Sequence, residues 1–95
     1  MTKGIFILPH TKRRMNERGI TPKMVELALN FGRRIHAPGT LFYFVGKRDM
    51  KKITCFSRDV DRLEGTTLVL DPGENVVITC FKNKNFLKSI RQKVQ

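Results

Sequence analysis

The stretch from Leu8 to Pro22 dictates where two helices must meet, and it constrains the fold more than any other part of the chain. Gly19 suits the left-handed residue that closes a helix, while Thr21-Pro22 offers an N-cap and a residue pre-shaped for the first helical position. One helix over about His10–Arg18 therefore stops just before another starts. In the first, His10, Arg14 and Arg18 recur at i, i+4 and i+8 and stack along one face. Imidazole has an unperturbed pKa near neutrality, and guanidinium is a permanent forked cation that matches a phosphate. The rest of the chain is what packs beneath this polar face and what stands opposite it.

Thr21 to Phe31 reads as the buried helix, with Met24, Leu27, Ala28 and Phe31 on one stripe, Val25 and Leu29 beside it, and Gly32 as a stop. Nothing reactive lies on it. After Arg33 the pattern turns extended. Arg33–His36 and Leu41–Val45 flank Ala37-Pro38-Gly39 as a hairpin, and Thr66–Leu70 pairs with Val76–Phe81 across Asp71–Asn75 as a clearer one. Gly46–Lys52 is polar and basic, a loop, and Ile53–Phe56 returns as a strand or turn. Ser57–Gly65, mixed in charge sign, reads as a solvated connection. Gly4–Leu8 is either a short edge strand or an apolar lead-in. Beyond Lys82 the tail is basic, with Phe86, Leu87, Ile90 and Val94 at helix-compatible spacing. It is either a solvated helix or a strip that touches phosphates.

The expected fold is α+β: two N-terminal helices on one face of an antiparallel sheet of about four strands, with a basic C-terminal tail or helix. The 95 residues make one domain, with a core over 5–83 and the tail over 84–95. A one-sided sheet leaves its other face partly open, where a substrate could lie. A strand edge near Leu41–Val45 could pair with another copy.

Charge narrows the partners. Nineteen Lys and Arg against eight Asp and Glu give a net charge of +11, beyond what solubility asks of a small domain. Such a surface calls for an anionic partner. Nucleic acid comes first, because phosphates release counterions to it; an acidic protein comes second and a membrane surface third. Lys12, Arg13, Arg33, Arg34, Lys47, Arg48, Lys82 and Lys84 are the expected phosphate contacts. No apolar run is long enough for a membrane span, and Ile5–Leu8 is too short for the core of a secretion signal, so a cytoplasmic location is expected. Cys55 and Cys80 lie in apolar strand-like runs and read as reduced core or sheet residues. With two widely spaced His they make no zinc site.

Two-metal hydrolysis needs converging carboxylates. Asp59, Asp61 and Glu64 are the one acidic cluster, and Arg58 and Arg62 among them make surface pairing the simpler reading. A metal-free cleavage of RNA suits the inventory better. The 2′-hydroxyl is the nucleophile, a base takes its proton, and cations meet the charge that gathers on phosphorus. His10 is the candidate base or acid, with Arg14 and Arg18 as the phosphate clamp. Tyr43 is a second proton donor or a stacking surface, and Thr79 a hydroxyl directed from the last strand. Each has an ordinary alternative: a helix start for His10, ion pairs for the arginines, a half-buried sheet position for Tyr43 and a plain strand residue at Thr79. His36 is a weaker catalytic candidate in a loop-like segment.

His10-x-x-x-Arg14-Met15-x-Glu17-Arg18-Gly19-Ile20, followed by an apolar helix ending at Gly32, a Tyr-bearing strand and Val77-Ile78-Thr79-Cys80, resembles a small bacterial domain family of unassigned function. That family carries the signature H-x-x-x-R-M-x-E-R-G-I and a later I-T strand. Its order of elements is similar to the barnase, EndoU, colicin and RelE-like ribonucleases, which cut RNA without metal. The resemblance spans roughly residues 5–83. It carries over His10, Arg14 and Arg18 from the helix motif, Thr79 from the last strand and, more loosely, Tyr43. It implies a ribonuclease toxin with no cofactor, whose partners are RNA, free or on the ribosome, and an acidic antitoxin covering the basic face. The alternative is a module that binds nucleic acid or an acidic partner and cleaves nothing.

Overall fold

The computed structural model describes residues 5–54 and 57–86. The junction read from the sequence forms as expected. Helix α1 spans Pro9–Arg18 and closes at Gly19, whose φ of 68° lies in the left-handed region. The Ile20 amide then donates to the Met15 carbonyl at 2.8 Å, which satisfies one of the orphan acceptors of the helix end. Helix α2 spans Pro22–Phe31, capped by Thr21: its hydroxyl accepts from the Met24 amide at 3.1 Å, while the Thr21 amide meets the Met24 sulfur at 3.4 Å.

The strands are β1 (Phe6–Ile7), β2 (Arg33–Ala37), β3 (Thr40–Phe44), β4 (Thr66–Asp71) and β5 (Val76–Lys82), in the spatial order β1-β5-β4-β3-β2. Both hairpins of the sequence reading are present. The expected all-antiparallel sheet of about four strands gains a fifth member, because β1 runs parallel to β5 and pairs Phe6 with Val76 and Ile7 with Val77. The sheet is therefore mixed. Its edges are β1 and β2; β3, where an exposed edge was expected, lies inside.

Two one-turn helices, α3 (Lys47–Met50) and α4 (Arg58–Asp61), stand where loops were expected. Each carries a residue that must be buried. Asp49 is only 1% exposed: one carboxylate oxygen accepts from the Gly46 amide at 2.9 Å and from Arg33 at 3.3 Å, and the other from Lys52 at 3.3 Å. α4 brings Val60 and, just after it, Leu63 into the core, so Ser57–Gly65 is no solvated connection.

α1 packs on β5, and α2 on β4 and β3. Between the layers lies one cluster that includes Met15, Ile20, Met24, Leu27 and Ala28 from the helices and Leu41, Leu68, Leu70, Val77 and Cys80 from the strands. A buried side chain of this size stabilises the fold by roughly 1.5–3 kcal/mol. On the far face of the sheet, Phe42, Phe44 and Phe81 gather around Phe86, with ring centroids 5.0, 5.7 and 5.7 Å from it. That face, expected to be partly open, is apolar: Phe86 packs on it, while Ile35, Phe42 and Phe81 remain partly exposed. Of the strand or turn expected over Ile53–Phe56, Ile53 and Thr54 lie in no strand, and 55–56, like the rest of the basic tail, lie outside the described residues.

One irregularity sets the relation between α1 and β5. Val69 pairs with Thr79 and Leu70 with Val77, so Ile78 is an extra residue in the ladder, a β-bulge. The Thr11 hydroxyl, fully buried on the underside of α1, donates to the Ile78 carbonyl at 2.7 Å and lies 3.2 Å from that of Val77. Replacing Thr11 by the isosteric Val leaves those acceptors without a side-chain donor. Urea unfolding is expected to show a loss of about 1–3 kcal/mol with an unchanged slope; an unaltered midpoint would mean that the bulge holds without Thr11.

Candidate functional site

With Thr11 and Met15 buried against the sheet, the helical period turns His10, Arg14 and Arg18 outward, as the sequence requires. Arg13 and Glu17 join them, and the five side chains line a shallow open depression on the outer face of α1. Arg18 is additionally anchored. Its guanidinium donates to the Cys80 carbonyl at 2.7 Å, and so ties the end of α1 to β5. Burial raises the Cys80 thiol above its ordinary pKa, against the opposing pull of the Arg18 and Arg14 charges.

The basic face continues past the end of α1. Lys82 follows Cys80 by two residues, so it leaves β5 on the helix side of the sheet. Arg62, just after α4, lies against Gly19: a Cβ built on that glycine would collide with the Arg62 Nη2 atom. Arg62 was read from the sequence as a partner of its acidic neighbours. Among the described residues the ion pairs are instead Lys23–Glu26, Arg33–Asp49 and Lys52–Asp49, none of which involves Arg14, Arg18, Arg62, Lys82 or Lys84. The acids that might have gathered a metal are spread out. Asp59 accepts from the Thr21 hydroxyl at 2.7 Å, and no group of three or more His, Cys, Asp or Glu side chains converges among the described residues.

Other expected site residues stand apart from the α1 face. Tyr43 lies on the helix side of the sheet but on β3, separated from β5 by β4, with Arg34 5.9 Å from its ring centroid. Thr79 is a correction. It pairs with Val69, which pairs with Phe42 of the aromatic face, and directly opposed residues share a face, so Thr79 projects away from α1. Its hydroxyl is buried and has no partner among the described residues. The cause is the bulge: in a regular strand Val77 and Thr79 would share a face, whereas here Val77 and Cys80 do. Arg33 is also reassigned, since its charge is committed to Asp49. Lys12, Arg13, Arg34, Lys47, Arg48, Lys82 and Lys84 are exposed, as is His36 on edge strand β2.

The two arginines of the stripe can be told apart by stability. Arg18→Gln, which loses the bond to the Cys80 carbonyl, is expected to lower stability by about 1 kcal/mol. Arg14→Gln is expected to stay within about 0.5 kcal/mol of the parent. Equal urea midpoints for the two variants would show that the Arg18 bond contributes nothing.

No known family model, curated protein or solved structure matches this chain.

Proposed function

We propose that the protein is a metal-independent endoribonuclease of the toxin kind, acting on RNA with the outer face of α1. The observation that carries this reading is the co-alignment of His10, Arg14 and Arg18 on one exposed helix face whose arginines have no acidic partner among the described residues. His10 takes the proton of a ribose 2′-hydroxyl. The freed O2′ attacks the adjacent phosphorus, the P–O5′ bond breaks, and a 2′,3′-cyclic phosphate is left. Arg14 and Arg18 meet the negative charge that builds on the equatorial oxygens, where a fixed cation lowers the barrier most. Because Tyr43 and Thr79 stand elsewhere, the departing O5′ takes its proton from solvent. DNA, lacking the 2′-hydroxyl, is bound but not cut. The charge of +11 also suits an acidic antitoxin over the same face.

A second reading rests on that missing second proton donor. With one imidazole and no partner for it, the face could hold RNA without cleaving it. Incubation of the purified protein with cellular RNA in EDTA separates the two. Discrete fragments from the parent, about 100-fold fewer from His10→Ala and fewer still from His10→Ala/Arg14→Ala, are expected of the ribonuclease. Intact RNA in every lane, with binding retained, would sink that reading and leave the binding module.

A further inference from the structure

The arginine stripe does not end where α1 ends. Arg62, Lys82 and Lys84 converge beyond Gly19 from two separate parts of the chain, and each is fixed by the fold. Arg62 follows Val60 and precedes Leu63, both core residues, and it rests on Gly19. Lys82 is the last residue of β5 and pairs with Thr66. Lys84 sits on a turn pinned at both ends. The Asn83 amide donates to the Gly65 carbonyl at 2.8 Å, the Phe86 amide to the Asn83 carbonyl at 3.1 Å, and Phe86 is seated in the aromatic cluster.

The second glycine has the same steric role as the first. A Cβ built on Gly65 would lie 3.0 Å from the Lys84 Cγ and 3.2 Å from its backbone nitrogen. The φ of 89° at Gly65 and 68° at Gly19 already favour glycine at both positions. So two left-handed glycines also make room for two cations. Holding like charges together costs free energy unless an anion joins them. At Lys82 burial lowers the ammonium pKa most, and the neighbouring Arg62 and Lys84 charges lower it further.

We propose that Arg62, Lys82 and Lys84 form a second phosphate site that continues the Arg14–Arg18 stripe, so that a single strand of RNA runs along α1 and off its end. This rests on the ribonuclease reading only for the choice of RNA. An acidic protein is the weaker occupant, because stable protein interfaces need apolar anchors. Among the described residues the exposed large hydrophobics are Phe6, which pairs with Val76 at the start of β5, and Ile78, rather than anything beside Lys82. The rise from His10 to Arg18 is about 12 Å, enough to span successive phosphates of an extended strand before the second cluster is reached.

The test compares the parent with the Arg62→Gln/Lys82→Gln/Lys84→Gln variant, all three positions being exposed, after equal urea midpoints show that the fold is kept. Binding of a single-stranded RNA of about eight nucleotides is measured between low and moderate salt. Losing three phosphate contacts is expected to flatten the slope of log K against log salt by about 2, or about 20-fold in affinity over a fourfold change in salt. Binding of a dinucleotide, short enough for the α1 stripe alone, is expected to change by less than about twofold. Equal slopes for parent and variant on the longer RNA would overturn the second site. So would a parent that ignores RNA but binds polyglutamate through these residues. If the parent binds but never cleaves, the ribonuclease reading fails while the slope still decides the second site.

Discussion

The contact between Thr11 and the bulge in β5 is the constraint on which the rest depends. At the bulge the Ile78 carbonyl accepts from a hydroxyl on the buried side of α1. The helix is thereby fixed in rotation. Once Thr11 and Met15 point inward, the helical period leaves no choice about where His10, Arg14 and Arg18 point. The same bulge brings Cys80 to the helix side, where its carbonyl receives Arg18. One extra residue in a strand sets both the bottom of the helix and its top.

Much of this architecture is legible in the sequence, and the parts that are not share a cause. Gly19, Thr21 and Pro22 act locally, through their own φ angles and side-chain bonds, so the helix junction can be read from a few residues. The turn after Asp71 is legible for the same reason; its carboxylate accepts from the Gly73 amide at 2.9 Å. Asp49 could not be read in this way, because it hides in a basic run and its burial is decided by Arg33, distant in sequence. α4 was masked by its charges, although Val60 and Leu63 at a spacing of three were a usable sign of an inward face. The bulge left no local trace. Alternation counted straight through β5 directs Thr79 at α1, and only the paired strand reveals the slip.

The candidate site inherits that division. Its α1 half follows from spacing alone and stands where the sequence put it. Its second half, Arg62 beside Lys82 and Lys84, joins two segments of the chain that only tertiary packing brings together. The resulting surface lies on the outside of the helical layer, with the apolar aromatic face on the opposite side of the sheet. A ligand held there is gripped by charge and hydrogen bonding along a ridge instead of being enclosed in a cleft.

The pairing of β1 with β5 carries a consequence for how the molecule comes into being. β1 and α1 are made before the other described elements, yet their partner is β5, and Thr11 waits for an acceptor 66 residues later. During synthesis the arginine-bearing helix has nothing to dock on, and an isolated ten-residue helix is marginal in water. The cationic ridge is therefore assembled only once β5 has been made, in one step with closure of the sheet. A chain interrupted before β5 carries the same charges but has no ordered surface on which to present them.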